Sequence, residues 1–391
     1  MIPAARLQAA IEILDDIAVG KAAEQALTSW ARRSRFAGSK DRAAVRDHVF
    51  DVLRARRSCA TLGGGQGGRA LVLGLLRLRG EDPAPFFSGA RFAPEPLTEA
   101  EAADVTRNDK LPPDVPDWLE EEFSAAFGPE LPGVLQALRT RAPVHLRVNL
   151  RKANMAQAVE ALAKDCIVTV PHSAANTALE ITQGPRKLRQ SRAYLEGLVE
   201  LQDAASQAVV QILPLRDGQR VLDYCAGGGG KALAMAGRAN ITLHAHDAAP
   251  DRMQDIPARA TRAGVQVTCL PPSGAKGPYD IVLCDAPCSG SGSWRRAPDG
   301  KWRLTPERLN GLMQTQDAIL ATASALVGPD GLLAYATCSI LPCENRSRVD
   351  HFLAINPDWI LLNDWAWSPA DGTDGFYTAH LTRKNAIWLT T

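Results

Sequence analysis

The sequence predicts an α/β fold with a parallel sheet in its C-terminal half, and three observations support that prediction. From Leu201 onward, short apolar strand segments alternate with helical segments, an order typical of parallel strands joined by crossover helices. Residues 219–231 read QRVLDYCAGGGGK, a pattern that predicts a buried strand, a glycine turn and the start of a helix. Two later strands end directly in polar residues, at Asp285 and at Cys338.

The glycine turn predicts a binding site for a nucleotide-like ligand. Without side chains the backbone can approach a ligand closely, and the N–H groups that open the helix at Lys231 face the same point. Asp247 follows the next strand, where such folds hold a ribose hydroxyl. A Walker-type phosphate loop is excluded because Cys225 and Ala232 occupy positions that this motif requires to be Gly and Ser or Thr. NAD and S-adenosylmethionine both fit at this stage.

Composition indicates a globular protein with several domains. The chain has 391 residues, 46% hydrophobic content and a formal net charge of +1, so a nucleic-acid partner would have to be met by local patches. Its eight cysteines show neither disulfide-dense spacing nor a CxxC pair, which predicts reduced thiols and no metal. Acidic residues interrupt the first apolar stretch, and no apolar run is long enough to span a membrane. We expect a cytoplasmic monomer.

Four segments are predicted along the chain. Residues 1–80 carry apolar residues at helical spacing and predict a helical domain, and residues 81–113 are rich in Pro, Glu and Asp without periodicity, as in a linker. Residues 114–200 mix helical and strand patterns and predict a small α/β module, and residues 201–391 form the parallel-sheet domain. A cluster of basic residues between positions 32 and 57 is either a solvated helix face or a phosphate-contacting surface.

Two cysteines follow neighbouring strand ends. Cys288 comes shortly after Asp285, and Cys338 directly follows the next strand. Because ligands bind at the carboxyl ends of strands in open α/β sheets, we expect both thiols to face one crevice as partly exposed, reactive groups. A metal pair and a redox disulfide are the alternatives. Metal binding is disfavoured because no histidine stands at ligand spacing near either cysteine, and a cytosolic disulfide would need a catalytic or regulatory role.

The segments that carry these residues resemble a known family. The stretches DAPCSGSGSWRRAPDGKWRL, YATCSILPCENRSRVDHFL and LQDAASQAVV, the last followed by VLDYCAGGGGK, are similar to the RNA cytosine-5 methyltransferases of the RsmB/Nop2/Sun family. The resemblance runs from about Pro113 to the DGFYTAHL segment. The stretch GSKDRAAVRDHVFDVLRARR of the helical domain resembles the NusB-like RNA-binding domain of the bacterial enzyme that acts on small-subunit 16S ribosomal RNA.

The resemblance implies a Rossmann-like, S-adenosylmethionine-dependent domain that methylates C5 of cytosine in RNA. It implies that Cys338 bonds to C6, that Cys288 assists product release, and that Asp285 contacts the cytosine edge or the cofactor. The chemistry agrees, since cytosine C5 is too electron-poor to attack a methyl donor until a thiolate adds to C6. The implied cofactor-binding residues are Cys225, Ala226, Gly227, Gly228, Gly229, Gly230, Lys231, Asp247, Arg252 and Asp285.

The chain departs from the family pattern in places. The family turn reads CAAPGGKT, whereas this chain has CAGGGGKA, and Cys343 stands where a Glu is common. The residues that would contact the adenine are not evident. We expect ribosomal RNA as the substrate, with transfer RNA as the alternative. A non-catalytic RNA-binding assembly factor is a rival interpretation that leaves both cysteines without a purpose, and an NAD dehydrogenase needs neither thiol.

Overall fold

The computed structural model describes residues 1–103 and 111–386 in two compact units. One unit combines Met1–Arg141 with the distant segment Trp294–Arg303, and the other combines Ala142–Ser293 with Leu304–Thr391. Residues 104–110 of the predicted linker lie outside the described residues. The finer division of the chain at positions 80, 113 and 200 stays a prediction. Among the described residues, none of the helices combines the length and apolar character that crossing a bilayer requires.

The first unit is helical, as the apolar spacing of residues 1–80 predicts. Its helices are α1 (Pro3–Ala18), α2 (Ala23–Arg33), α3 (Ser39–Arg54), α4 (Arg56–Gly63), α5 (Gly68–Leu78), α6 (Glu99–Ala102), α7 (Glu120–Phe127) and α8 (Leu131–Arg139). Leu7 and Ile13 of α1 pack with Val49 of α3 and Leu73 of α5 in one core cluster. The buried stripes of these helices therefore account for the periodicity of the sequence.

Part of the basic cluster is structural. Arg54 is buried and pairs with Asp51 at 2.7 Å, and Arg57 pairs with Asp117 at 2.6 Å. The exposed members are Arg32, Arg33, Arg35, Lys40, Arg42 and Arg46, of which Arg46 pairs with Glu24. These exposed cations can contact phosphate, so the cluster divides between the two interpretations that the sequence left open.

The segment Trp294–Arg303 completes the end of α3. The last carbonyl groups of a helix have no partner within it and need donors from elsewhere. Trp302 Nε1 donates to the Leu53 carbonyl at 2.6 Å, and Lys301 Nζ donates to the Arg54 carbonyl at 3.0 Å. A segment that follows the predicted catalytic motif DAPCSG in sequence is therefore a structural part of the helical unit.

Lys301 should give the helical unit a distinctive pH dependence. Burial lowers the pKa of its ammonium group to about 7. Between that value and the ordinary lysine pKa of about 10.4, the unfolded chain binds a proton that the folded chain does not, so this group makes stability rise with pH by up to about 1.4 kcal/mol per unit. We expect the free energy of unfolding of the wild type to rise relative to that of Lys301→Met between about pH 7 and about pH 9. Denaturant titrations followed by tryptophan fluorescence measure both slopes. Lys40→Met, at an exposed lysine, is the control, and equal slopes for all three proteins would contradict the prediction.

The second unit begins with a four-stranded antiparallel sheet in the order β2-β3-β1-β4. Its elements are β1 (Val144–Val148), α9 (Met155–Lys164), β2 (Val168–Pro171), β3 (Ala178–Gln183), α10 (Arg192–Leu195) and β4 (Val199–Leu201). The sequence predicts β1, α9 and β2 within one or two residues. The sequence analysis misses β3 and β4. Both strands are short, and a glutamate in each, Glu180 or Glu200, interrupts the apolar pattern by which a strand is predicted.

A seven-stranded sheet in the order β10-β11-β9-β8-β5-β6-β7 forms the remainder. Its elements are α11 (Ala204–Gln211), β5 (Arg220–Asp223), α12 (Gly230–Arg238), β6 (Thr242–Ala245), α13 (Ile256–Ala263), β7 (Thr268–Cys269), β8 (Tyr279–Asp285), α14 (Asp299–Arg303, in the helical unit), α15 (Pro306–Ser324), β9 (Val327–Thr337), α16 (Arg346–Ile355), β10 (Trp359–Trp367) and β11 (Phe376–Arg383). Strands β5 to β9 are parallel, whereas β11 runs antiparallel to both neighbours. The predicted parallel sheet is confirmed, and β5, β8 and β9 lie side by side, so their carboxyl ends meet.

Candidate active site

A cavity of about 490 Å³ opens where β5, β8 and β9 end. It is lined by Gln202, Ser206, Cys225, Ala226, Gly227, Gly228, Gly230, Lys231, Arg252, Asp285, Ala286, Pro287, Cys288 and Cys338. Of the residues that the sequence assigns to the site, all but Gly229 and Asp247 are in this lining. The glycine turn lies more than 50 positions before Cys288 in the sequence. The turn and both cysteines nevertheless line the same cavity.

The turn has a shape that only glycine adopts readily. Gly227 and Gly229 have φ values of +50° and +79°, in the left-handed region. A Cβ atom on Gly229 would lie 2.7 Å from Cγ1 of Ile256, so this glycine packs against α13 instead of facing the cavity. Asp247 Oδ2 accepts a hydrogen bond from the Gly227 N–H at 2.9 Å and lies 3.1 Å from Arg252 Nη1. Asp247 thus holds the turn in place.

Two polar residues beside the turn were missed by the sequence analysis as site residues. The buried Arg147 of β1 donates from Nη1 to the Gly230 carbonyl at 2.7 Å and also to the side-chain oxygen of Gln202. Gln202 belongs to the LQDAASQ segment that carries the family resemblance, so a signal existed for it. Arg147 stands in a short strand without a motif, and only the fold brings it to the turn.

An ion pair and a buried carboxyl group lie near the ends of β5 and β8. Lys231 Nζ lies 2.7 Å from Asp285 Oδ2 and 4.7 Å from the centre of the Phe376 ring. Asp223, at the end of β5, is buried, and burial together with the nearby Asp285 charge raises the pKa of its carboxyl group to about 7. Lys231 is therefore the cation that balances the carboxylates gathered at the strand ends.

The two predicted reactive cysteines are in contact. The Sγ atoms of Cys288 and Cys338 are 3.4 Å apart, and both side chains are half-buried. The hydrogen bond to Cys338, together with burial, raises the pKa of the Cys288 thiol well above its ordinary value. Either thiol can be the S–H donor of this pair. Burial and the nearby Asp223 also raise the pKa of the Cys225 thiol, which makes that cysteine a poor nucleophile.

A buried glutamate links the two cysteine loops. Glu344 accepts hydrogen bonds from the Ser289 N–H at 2.7 Å, from the hydroxyl groups of Ser289 and Ser339 at 2.5 Å each, and from Gln316 Nε2 at 3.1 Å. Ser289 follows Cys288 and Ser339 follows Cys338, so one carboxylate fixes both loops. Glu344 follows Cys343 in the second cysteine motif, and its contact with the first motif depends on the fold.

The seven-stranded sheet, its antiparallel strand β11 and the glycine-turn cavity define a Rossmann-like methyltransferase fold. The family model described as 16S rRNA methyltransferase RsmB/F matches residues 210–382, and the model of the RsmF/B-like ferredoxin-like domain matches residues 115–186. The chain belongs to this RsmB/F family. Its small α/β module is thereby of the ferredoxin-like type.

Relatives support the same assignment. Ribosomal RNA small subunit methyltransferase B of Vibrio cholerae is 33% identical over 285 residues, which cover 69% of this chain and 65% of the relative. The protein of the same name from Sodalis glossinidius is 31% identical over 313 residues, with 75% and 70% covered. The match spans slightly less than two thirds of the Vibrio relative.

Solved structures share the fold. The crystal structure of PH0851 aligns with a TM-score of 0.75 at 25% identity and covers 98% of this chain and 99% of that one. A methyltransferase homolog protein from Pyrococcus horikoshii aligns with a TM-score of 0.59 at 23% identity, covering 67% and 93%, and shows the likeness of fold alone.

Proposed function

We propose that this protein transfers a methyl group from S-adenosylmethionine to C5 of a cytosine in ribosomal RNA, through a covalent bond between Cys338 and C6 of the base. The observation that carries the proposal is the thiol pair, with its two sulfur atoms 3.4 Å apart in the lining of the glycine-turn cavity. The names of the relatives, which are small-subunit ribosomal RNA methyltransferases, favour ribosomal RNA as the substrate.

The contact between the two thiols supports a division of labour. The hydrogen bond with Cys338 and burial raise the pKa of the Cys288 thiol, which disfavours Cys288 as the nucleophile. We assign the attack on the base to Cys338, in its nucleophilic thiolate form. Cys338 then adds to C6 of the cytosine, and the electron pair of the C5–C6 double bond becomes available at C5.

Cys288 becomes useful only after this addition. The hydrogen bond with Cys338 raises the pKa of the Cys288 thiol while both thiols are free. As a thioether bonded to C6, Cys338 carries no negative charge, so it no longer opposes ionisation of the neighbouring Cys288 thiol. C5 first takes the methyl group, and the donor's sulfur keeps the electron pair of the bond that breaks. The Cys288 thiolate can then remove the proton from C5, the double bond re-forms, and Cys338 leaves C6 as a thiolate. The pair would thus act in sequence rather than compete for the base.

The turn fits the methyl donor. When bound, S-adenosylmethionine supplies an electrophilic methyl group. Gly227, Gly228 and Gly230 line the cavity without side chains, so their backbone can approach the ligand, and α12 begins at Gly230 with its N–H groups unsatisfied by the helix. Lys231 and Asp285 form an ion pair in the lining of the same cavity, where they can orient the cytosine edge relative to the donor.

Substitution of Asp247 should weaken binding of S-adenosylmethionine. Its carboxylate accepts the Gly227 N–H and pairs with Arg252, so Asp247→Ala loosens the turn and removes the expected ribose contact. We expect at least a roughly ten-fold higher Kd in isothermal titration calorimetry, which corresponds to about 1.4 kcal/mol. Asp251→Ala, at an exposed neighbouring carboxylate, is the matched control. Unchanged affinity in Asp247→Ala, or a wild type that binds NAD and not S-adenosylmethionine, would contradict the assignment.

The reaction itself is tested on RNA from a strain in which the gene is deleted. Purified protein and S-adenosylmethionine are incubated with the 16S ribosomal RNA and, separately, with the transfer RNA of that strain. Nucleoside mass spectrometry should detect 5-methylcytidine in the ribosomal RNA. If 5-methylcytidine appears in transfer RNA alone, the proposed reaction stands, but the substrate is transfer RNA instead of ribosomal RNA. Methylation of another base, or none in either RNA, would reject the proposed function.

A further inference from the structure

His145, a buried residue of the four-stranded sheet, has a hydrogen-bonding neighbour at Nδ1 but none at Nε2 among the described residues. His145 Nδ1 has two neighbours, Asp203 Oδ2 at 2.9 Å and the Ala204 N–H at 3.3 Å. We assign the Nδ1 proton to the shorter contact with the carboxylate, and in this tautomer the Ala204 N–H has no acceptor at Nδ1. Nε2 therefore presents a lone pair. This buried atom has no hydrogen-bond partner within residues 1–103 and 111–386, although buried polar atoms are nearly always satisfied.

The strand register brings two further ligand groups to this nitrogen. His145 of β1 pairs directly with Glu180 of β3, and Glu180 pairs with Val170 of β2. His172 comes two residues after Val170 and therefore extends on the same face of the sheet. One ligand atom from each of His145, His172 and Glu180 lies within 4.8 Å of the other two.

We propose that His145, His172 and Glu180 form a binding site for a zinc ion. Two imidazoles and one carboxylate are a common donor set for Zn²⁺, with a fourth position left for water. Asp203 takes the place of the outer carboxylate that orients a metal-binding histidine through its other nitrogen. The sequence predicted no metal because these three residues are widely separated and form no short motif.

The site can close on the ion with small movements. Zinc ligands at about 2.0–2.1 Å from the metal lie roughly 3.3 Å from one another, so the three donor atoms must draw closer. His145 is buried and fixed, whereas His172 and Glu180 are half-buried and can change their side-chain conformations. His172 Nδ1 accepts a hydrogen bond from the Ala174 N–H, so the proton of the neutral ring is on Nε2. If Nε2 binds zinc, that proton moves to Nδ1, and the hydrogen bond from Ala174 is lost.

Zinc at this position would strengthen a junction within the second unit. Asp203 Oδ2 orients His145, and Asp203 Oδ1 accepts the Asp374 N–H at 3.1 Å in the loop before β11. Through Asp203, the ion would therefore link β1, β2 and β3 of the four-stranded sheet to the start of α11 and to the loop before β11. This inference is independent of the proposed reaction, and its test needs neither RNA nor a methyl donor.

The test is a zinc titration of the full chain after treatment with a chelator and removal of any affinity tag. Equilibrium dialysis with mass-spectrometric metal analysis should find one Zn²⁺ bound per chain at micromolar free zinc. His172→Gln and Glu180→Gln should each weaken binding by at least about ten-fold. His351→Gln, at an exposed histidine, should bind as the wild type does, and zinc should raise the melting temperature of the wild type but not of the two site variants.

The cysteine pair is the competing zinc site, and Co²⁺ distinguishes the two. Cobalt bound by imidazole and carboxylate gives only ligand-field bands, whereas cobalt bound by Cys288 and Cys338 adds thiolate charge-transfer absorption. A stoichiometric site without thiolate absorption that is weakened in His172→Gln supports the proposal. Thiolate absorption, unchanged binding in both site variants, or the absence of stoichiometric zinc overturns it.

Discussion

Cys338→Ala should lower the rate of methyl transfer to RNA by on the order of 10⁴-fold or more, because it removes the thiolate that activates C5 in the proposed mechanism. The affinity for S-adenosylmethionine should stay within a few-fold of the wild type, since Cys338 is not part of the turn that is proposed to hold the methyl donor. Single-turnover transfer of a labelled methyl group measures the rate, and calorimetry measures the cofactor affinity.

Cys288→Ala is the matched partner for this variant because it removes the other thiol from the same pair. It should still allow addition and methylation but slow the removal of the C5 proton, so that product remains bound to the protein. Cys225→Ala, at a cavity cysteine with a raised pKa, should retain turnover. Near wild-type activity in Cys338→Ala would remove the covalent mechanism.

Glu344→Ala should lower kcat by roughly 10²-fold or more without a comparable change in KM for the methyl donor. The substitution leaves the Ser289 N–H without its carboxylate acceptor, at about 1–3 kcal/mol for a buried group, and the Gln316 amide keeps only its bond to the Pro287 carbonyl. Both cysteine loops then lose the carboxylate that holds them. Displacement of either sulfur by about 1 Å is enough to cause a rate loss of this size. Glu344 is thus a positioning residue that acts through Ser289 and Ser339.

Glu344→Gln separates positioning from folding. The amide retains the shape and one acceptor oxygen, and the two serine hydroxyls can rotate to accept from its NH₂ group, so a milder loss of kcat and a near wild-type melting temperature are expected. Glu160→Gln, at an exposed glutamate of α9, is the surface control. A kcat that does not change in Glu344→Gln or in a folded Glu344→Ala would show that the carboxylate does not position the thiols.

Local patterns in the sequence are sufficient to predict the part of the site that lies on strand ends. The glycine turn, Lys231, Asp285 and the two cysteines each stand directly after or close to an apolar strand. The rule that parallel strands present their carboxyl ends together then brings them to one cavity. The φ values of Gly227 and Gly229 agree with a turn predicted from glycine content alone.

Long-range contacts explain what the sequence did not predict. Arg147 reaches Gly230 from another sheet, and Glu344 reaches Ser289 from a different loop, so neither contact has a local signature. The segment Trp294–Arg303 follows a catalytic motif, yet it belongs to the helical unit because α3 requires donors at its C-terminal end. The final strands β10 and β11 were absent from the prediction as well. They complete the sheet beside β9 only after the chain has crossed through α16.

The most direct test of the covalent mechanism is identification of the residue that is bonded to RNA in the Cys288→Ala variant. The variant is incubated with S-adenosylmethionine and 16S ribosomal RNA from the deletion strain, denatured, digested with protease and nuclease, and examined by tandem mass spectrometry. The mechanism predicts a methylated cytidine attached to the peptide that contains Cys338, and no such adduct in the double variant Cys288→Ala/Cys338→Ala. An adduct on any residue other than Cys338 would contradict the mechanism. Methylated RNA without any protein–RNA adduct in Cys288→Ala would contradict it as well.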